Sequence, residues 1–176
     1  MLETERLTLR NWQEDDAERL FQLASDPLVG PACGWTPHCN VEESRALIVN
    51  GPLGKPESYS IHLRGTDEII GSISLKDATE NFDIANEGDL EVGYWLGSSY
   101  WGHGYASEAL DAMVRRAFDD LGRNVLWCGF FEGNERSKPC MEKRGFKFMK
   151  TTPDFERPLL GDTATAYLYR LEAEKA

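Results

Sequence analysis

Residues 90–121 constrain the fold of this chain more than any other part of its sequence. Residues 90–96 alternate between apolar side chains and those of Glu91, Gly93 and Trp95, which predicts a strand. From Ala106 onward, apolar residues recur at steps of three and four, which predicts a helix of about four turns. A short loop with two glycines joins these elements. The segment therefore predicts a strand, a glycine loop and a helix in direct succession.

Gly102 and Gly104 lie in this glycine loop, at the point where the helix is expected to begin. Glycine permits a positive φ and lets another group approach the backbone closely, so several N–H groups can converge at the positive end of the helix. Such a position binds anions, and a phosphate is the usual occupant. The alternative interpretation is a turn that only joins the strand to the helix.

The length and charge of the chain exclude several classes of protein. Its 176 residues predict one domain, residues 1–176, with a substantial core, and no apolar run is long enough to span a membrane. The charged N-terminal residues lead directly into a predicted strand, so we expect no secretory signal and a cytoplasmic protein. A formal net charge of −11 argues against a nucleic-acid partner and is compatible with an amine-bearing one.

The four cysteines do not indicate a disulfide framework, because their spacing is uneven and they fall in a predicted loop, strand and helix. Cys33, His38 and Cys39 come nearest to a metal motif, but they match no common zinc spacing and lack a fourth ligand. We therefore expect no metal. Cys128 and Cys140 are expected in the core.

The other segments predict the remaining elements of a mixed sheet. Helices are expected to begin at Asp15, Asn40 and Asn134, the second with a capping box formed by Asn40 and Glu43. The order predicts a mixed α/β sheet of about seven strands, with parallel and antiparallel pairs and helices on both faces. Further strands are expected at residues 6–10, 59–63, 69–75, 125–131, 146–149 and 163–171, and loops at residues 28–40 and 151–161.

Four segments carry a resemblance to a known family: residues 4–10, 91–96, 100–106 followed by Glu108 and Ala109, and 134–146. In this order they resemble the GNAT family of acyl-CoA-dependent N-acetyltransferases and, more narrowly, its ribosomal-protein N-terminal (RimJ/RimL-like) branch. The likeness covers essentially the whole chain. It implies the GNAT acyl-CoA N-acyltransferase fold, with acetyl-CoA as the cosubstrate. It also implies direct transfer of an acetyl group to a primary amine, without a covalent enzyme intermediate.

The resemblance implies which residues hold coenzyme A. In the family, amides of the glycine loop hold the pyrophosphate, and the general pattern has Gln or Arg where this chain has Trp101. An indole cannot pair with phosphate, so backbone N–H groups must carry more of the binding, and a protonated His103 could add positive charge. Asn134 is expected both to cap its helix and to touch the pantetheine arm. The implied site comprises Tyr94, Trp95, Leu96, Trp101, Gly102, His103, Gly104, Tyr105, Ala106, Asn134 and Ser137.

Acetyl transfer to an amine needs a base, because an alkyl ammonium titrates at about 10 and a peptide α-amino group at about 8. Glu91 is the first candidate, since its strand lines the acceptor cleft in the family, where a carboxylate commonly acts through water. The alternative is an ordinary solvent-facing carboxylate. Glu156 is the second candidate, because carboxylates in the corresponding loop serve this branch, although it fits a solvated loop charge equally well.

The reaction also needs hydrogen-bond donors. We expect a bulge at Gly93 to turn the N–H of Trp95 or Leu96 toward the thioester oxygen. Many family members have a tyrosine at the position of Met141, and methionine cannot protonate the departing thiolate. Ser137, one helical turn earlier, is the expected substitute. The alternative is a first-turn serine that satisfies backbone groups.

Two other functions are alternatives to acetyl transfer. A dinucleotide-binding oxidoreductase would use Gly102 and Gly104 in a Rossmann fingerprint, but that fingerprint belongs to the first strand of a parallel repeat, whereas hairpin strands precede it here. We reject it. A non-catalytic acyl-CoA-binding module stays an alternative, because the position of the family tyrosine is vacant.

The sequence does not fix the acceptor amine. A protein N-terminal α-amine, a small cationic amine such as a polyamine, and an aminoglycoside all fit an acidic protein. We expect residues 28–40 and 151–161 to select the acceptor, with Trp35 and Phe155 as walls of its pocket or as plain hydrophobic anchors. Dimers are common in the branch that the chain resembles, so a homodimer is compatible with the sequence.

Overall fold

The computed structural model describes residues 1–174 and is built around one mixed sheet of eight strands. These are β1 (Leu2–Glu3), β2 (Leu7–Asn11), β3 (Ser58–Leu63), β4 (Ile69–Asp77), β5 (Leu90–Leu96), β6 (Val125–Phe131), β7 (Lys147–Arg157) and β8 (Asp162–Glu172). Their order is β1-β2-β3-β4-β5-β6-β8-β7, and neighbours are antiparallel except for the parallel pair β5 and β6. The predicted mixed α/β fold is confirmed, with β1 as one additional edge strand.

Helices cover this sheet. They are α1 (Ala17–Ala24), α2 (Gly30–Cys33), α3 (Val41–Val49), α4 (Tyr105–Arg115) and α5 (Ser137–Lys143), and a π-helical turn at Arg116–Asp120 extends α4. The Asn40 side chain accepts a hydrogen bond from the Glu43 N–H at 2.8 Å, so the predicted cap of α3 is confirmed. The Glu43 carboxylate accepts from the Cys39 N–H instead of closing the capping box. Residues 28–40, expected to be a loop, contain the short helix α2.

Two apolar clusters hold the helices on opposite faces of the sheet. In the first, Leu110 of α4 packs with Ile73 of β4. In the second, Leu20 of α1 packs with Trp12, whose indole N–H donates to the Ser72 hydroxyl at 3.3 Å. Ser72 and Ile73 are adjacent in β4 and therefore point to opposite faces. The alternating pattern of the strands thus places α4 on one face of the sheet and α1 on the other.

β5 and β6 are paired over a very short distance. The β4·β5 register is unbroken over the whole of β5, whereas β5 meets β6 only at Leu90 and Glu91. Beyond Glu91 the two strands diverge and the sheet opens between them. The predicted bulge at Gly93 is wrong, because the register passes through this residue without a shift. Divergence of two strands, and not a bulge, opens the sheet.

Residues 151–161, expected to be a loop, are mostly strand. β7 continues to Arg157 and pairs with β8. Pro153 does not end the strand, because the register shifts next to it, where Asp154 has a φ of +53°. Proline is tolerated at such an irregularity of an edge strand. The loop prediction was wrong because pairing with β8 overrides the local signal.

Leu110→Ala should lower the free energy of unfolding by about 2–5 kcal/mol, because the cavity left beneath α4 would not collapse completely. Leu110 is 0% exposed. Denaturation by urea measures the change. As a control, Arg115→Ala at an exposed position of the same helix should alter the free energy of unfolding by less than about 0.5 kcal/mol. Equal losses in the two variants would contradict this packing of α4.

Candidate active site

The glycine loop leads directly into α4. Gly102 and Gly104 have φ angles of +80° and +81°, and Gly104 immediately precedes the helix. A side chain would strain the backbone at both positions. The Glu108 N–H donates to the Gly104 carbonyl at 3.1 Å, so the N–H groups of residues 105–107 have no acceptor within the helix. The loop therefore presents backbone donors at the positive end of α4.

Two arginines that the sequence analysis did not single out lie at this loop. Arg6 donates from Nη1 to the His103 carbonyl at 3.0 Å. The Arg136 guanidinium lies over the Trp101 ring, 3.5 Å from the ring centroid. Trp101 thus places a cation beside the loop although its own indole cannot pair with a phosphate. Both arginines belong to segments that carry the family resemblance, and this was the feature of the sequence that could have identified them as site residues.

A small cavity of about 70 Å³ lies beside the diverging end of β5. It collects side chains from β5, the glycine loop, α4 and α5. The predicted coenzyme A residues that line it are Tyr94, Trp95, Leu96, Trp101, Ala106, Asn134 and Ser137. The other four, Gly102, His103, Gly104 and Tyr105, do not line this cavity and follow one another in the loop and at the start of α4.

Backbone amides of β5 point into the opening beside β6. The Gly97 N–H donates to the Ile70 carbonyl, and alternate residues of a strand direct their N–H groups to opposite edges. The N–H groups of Tyr94 and Leu96 therefore point away from β4, whereas that of Trp95 points toward it. The Leu96 carbonyl, on the same edge, accepts a hydrogen bond from Trp101 Nε1 at 2.9 Å. Of the two predicted amides, only that of Leu96 points toward the opening.

A larger cavity of about 460 Å³ adjoins the small one. Aromatic side chains form much of its wall. Trp35 is edge-on to Trp95 with ring centroids 5.6 Å apart, and Phe131 contacts Phe155 at 5.8 Å. Both predicted wall residues, Trp35 and Phe155, therefore line this cavity.

Glu91 is the less exposed of the two carboxylates that line the larger cavity. It accepts a hydrogen bond from Asn81 Nδ2 at 2.7 Å and lies 3.4 Å from Lys76 Nζ. Its side chain is 12% exposed, so it is not an ordinary solvent-facing carboxylate. Burial raises the pKa of Glu91, while Lys76 and Asn81 act in the opposite direction. A carboxylate with a raised pKa is a stronger base than a fully solvated one.

Glu156 lines the same cavity from β7, not from a loop as expected. The residue is exposed, and its neighbour Arg157 is held by Asp162 through hydrogen bonds of 2.6 and 2.7 Å. Glu91 and Glu156 thus face one cavity from two different strands, the first buried and the second in contact with solvent.

The region before α5 differs from expectation. Ser137 is the first residue of the helix, so Asn134 precedes it by three positions and does not cap it. The Asn134 side chain instead donates to the Ala32 carbonyl at 3.2 Å and accepts from Arg136 Nε at 2.8 Å. The cap prediction was wrong because the side chain joins α5 to α2. Met141 is fully buried and lines neither cavity.

Three free cysteines lie near the site. Cys128 and Cys140 lie in the core as predicted, and Cys140 accepts a hydrogen bond from the Ser107 hydroxyl at 3.2 Å. Burial raises the pKa of Cys128. It also raises the pKa of Cys33, which lines both cavities, to about 11. Raised pKa values keep these thiols protonated and poorly nucleophilic at neutral pH.

Residues 1–174 contain neither a metal-ligand cluster nor a membrane-spanning helix. No three side chains of His, Cys, Asp or Glu gather in this part of the chain as a metal ion would require. Its helices are also too short or too polar for any of them to cross a bilayer.

Comparison with known proteins decides the family. The model of the acetyltransferase (GNAT) domain matches residues 6–147. This chain belongs to the GNAT acetyltransferases. The predicted family is confirmed, and with it the classification as an N-acetyltransferase.

Curated relatives place this GNAT protein more narrowly. It is 32% identical to the N-acetyltransferase p20 of Bacillus licheniformis over 174 residues, which cover 97% of this chain and 94% of the relative. It is 27% identical to the ribosomal-protein-serine acetyltransferase of Escherichia coli (strain K12) over 156 residues, or 81% and 80% of the two chains. The predicted relation to the ribosomal-protein branch is confirmed.

Solved structures share the fold. A GNAT acetyltransferase from Bacillus anthracis superposes with a TM-score of 0.84 at 22% identity, covering 97% of each chain. The microcin C7 self-immunity acetyltransferase MccE, solved with acetyl-CoA and AMP, has a TM-score of 0.76 at 19% identity and covers 97% of this chain and 94% of its own. The predicted GNAT fold is thereby confirmed.

Lys76→Met should raise the pKa of Glu91 still further, because the ammonium group of Lys76 stabilises the charged carboxylate. A carboxyl-carbon NMR titration measures this pKa. Lys150→Met is a matched control, since Lys150 pairs with Asp83 and does not act on Glu91. A Glu91 pKa that falls when Lys76 is removed would contradict the described ion pair.

Proposed function

We propose that this GNAT protein transfers the acetyl group of acetyl-CoA to a primary amine by direct attack. One observation carries the proposal: the small cavity beside the glycine loop and the larger cavity with Glu91 adjoin at the diverging end of β5. An acyl donor and an amine can therefore approach the same point from two sides. Action as one domain over residues 1–176, a cytoplasmic location and a homodimer stay predictions from the sequence.

Coenzyme A would be held first at its pyrophosphate. The N–H groups of residues 102–106 and the positive end of α4 favour a diphosphate. Arg136 on the Trp101 ring supplies a cationic donor for charge-assisted hydrogen bonds, and Arg6 beside His103 adds a second although its Nε pairs with Glu108 at 2.7 Å. The bound acetyl-CoA of the structural neighbour MccE supports the same cosubstrate here.

The acetyl end would lie in the small cavity. There the N–H groups of Tyr94 and Leu96 point away from β4 and are available to the thioester oxygen, which gains negative charge in the tetrahedral intermediate. Asn134 lines this cavity and would border the pantetheine arm. Ser137, at the start of α5, lines the same cavity and would lie near the departing sulfur.

Glu91 is our proposed base. It is buried beside the larger cavity with a raised pKa, and it can take the proton that the attacking nitrogen loses, directly or through a water. Glu156 faces the same cavity from an exposed position, and we assign it to contact with the acceptor. We assign the two roles by exposure, because removal from water is what makes a carboxylate more basic.

The charged residues that line the larger cavity indicate how many positive charges the acceptor carries. Its charged lining residues are Glu91 and Glu156 against Lys76 and Arg157, so the lining carries no surplus of negative charge. A polyamine or an aminoglycoside brings several positive charges that this lining does not match. We propose an acceptor with one amino group on an apolar or aromatic body, as a protein N-terminal α-amine provides, since its pKa of about 8 also demands less of the base.

An amine panel tests this acceptor class. Short peptides with a free α-amine and an aromatic residue near it should give a kcat/KM at least about tenfold above that of spermidine or of an aminoglycoside. Release of the coenzyme A thiol measures turnover. Preference for the polycations would refute the proposed acceptor class while leaving acetyl transfer itself supported.

Glu91→Gln should lower kcat by about 10²-fold or more at neutral pH and leave the affinity for coenzyme A nearly unchanged, because the amide cannot accept the proton. Thiol release and calorimetry with coenzyme A measure the two quantities. Glu156→Gln is the matched control and should mainly raise KM for the amine. Unchanged kcat in Glu91→Gln would remove Glu91 as the base. Wild-type protein that binds coenzyme A but never turns over would favour the non-catalytic module.

A further inference from the structure

The two cavities share a small set of residues. These residues line both cavities and define what we call the junction: Ala32, Cys33, Tyr94, Trp95, Asn134 and Ser137. If the acyl donor occupies the small cavity and the amine occupies the larger one, the thioester carbon must lie at the junction. Any group that protonates the departing sulfur must therefore be found there.

Few side chains of the junction are suitable donors. The Asn134 carboxamide is already bound to the Ala32 carbonyl and to Arg136. Burial raises the pKa of Cys33 to about 11. Hydroxyl groups are provided by Ser137 and Tyr94.

The Tyr94 hydroxyl is unusual because it is buried and has no hydrogen-bond partner within residues 1–174. The Ser137 hydroxyl and the Cys140 thiol lie near enough to shift its pKa as hydrogen-bonding neighbours do, but neither meets the Tyr94 hydroxyl at the distance and angle of a hydrogen bond. Buried polar groups are almost always paired, because leaving one unpaired costs free energy. Tyr94 lines the junction, so a ligand atom bound there is the partner that this buried hydroxyl lacks within residues 1–174.

We propose that the Tyr94 hydroxyl is the proton donor to the sulfur of departing coenzyme A. This assignment rests on the proposed function. It gives Tyr94, on β5, the role that the vacant position of Met141 cannot fill. A thiolate is a charged acceptor and would bind the free hydroxyl more strongly than a neutral group would.

The proposed step balances as follows. The amine nitrogen forms a bond to the acetyl carbon and the carbon–sulfur bond breaks, so its electron pair passes to sulfur. Sulfur takes the proton of the Tyr94 hydroxyl and leaves as the free thiol. The nitrogen loses its proton to Glu91 and then to solvent, and the Tyr94 phenolate regains a proton from solvent after the thiol has left. The net products are the amide and coenzyme A.

The surroundings of Tyr94 agree with this role. Burial, together with the thiols of Cys128 and Cys140, raises the pKa of Tyr94 well above its usual value, so the phenol carries its proton at neutral pH. The same burial would raise the pKa of a thiolate at the junction and make it a better proton acceptor. Ser137 lowers the pKa of Tyr94, because a hydroxyl that can donate a hydrogen bond stabilises the phenolate.

Tyr94→Phe removes only the hydroxyl and tests the proposal. With acetyl-CoA and one amine, kcat should fall about 10²-fold. With the acetyl thioester of 4-nitrothiophenol, whose acidic thiol leaves without a proton, the loss in kcat/KM should shrink to about twofold or less. Tyr100→Phe is the matched control, because its hydroxyl lies outside both cavities and binds Arg19 and Glu68.

A second measurement does not depend on turnover. Coenzyme A bound to wild-type protein should show a thiol pKa lower by about one unit or more than coenzyme A bound to Tyr94→Phe, as read from the ultraviolet absorbance of the thiolate. Equal losses with both acyl donors, or equal thiol pKa values, would overturn the role of Tyr94. Wild-type protein that binds coenzyme A without transfer would refute the proposed function, and the thiol titration would still decide for or against Tyr94.

Discussion

The separation of β5 from β6 after Glu91 is the constraint on which the site depends. A parallel ladder of two residue pairs leaves the rest of β5 bonded to β4 alone, so the amides of Tyr94 and Leu96 face an opening inside the sheet. Backbone groups in such a place require partners, and the structure meets part of that need when Trp101 donates to the Leu96 carbonyl. The N–H groups that remain make the opening suitable for a polar ligand atom.

The two-residue period of β5 decides which face of the sheet each of its polar side chains leaves. Glu91 and Tyr94 are separated by an odd number of positions, so their side chains leave opposite faces of the strand. Glu91 lies beside the larger cavity, and Tyr94 reaches the junction beside α5. One strand thereby directs a carboxylate and a hydroxyl to opposite faces of the sheet, and the unbroken register with β4 fixes their relative position.

Local charge at the site differs from the charge of the whole chain. The formal net charge is −11, yet the glycine loop is bordered by Arg6 and Arg136. The lining of the larger cavity carries as many basic as acidic residues. Salt screens interactions between exposed charges beyond about 10 Å, so the few groups that touch a ligand outweigh many distant carboxylates. Net charge is therefore a weak guide to the acceptor of this enzyme.

The sequence by itself determined the family, the strand, glycine loop and helix at residues 90–121, and most other elements, because these depend on local periodicity and on glycines at required positions. It also predicted Glu91 and Ser137 as candidate catalytic residues. Only the tertiary structure decided that β7 continues past Pro153, that Asn134 joins α5 to α2, and that Tyr94 is left unpaired. Each of these depends on contacts between segments far apart in the chain, where pairing and burial outweigh local preference.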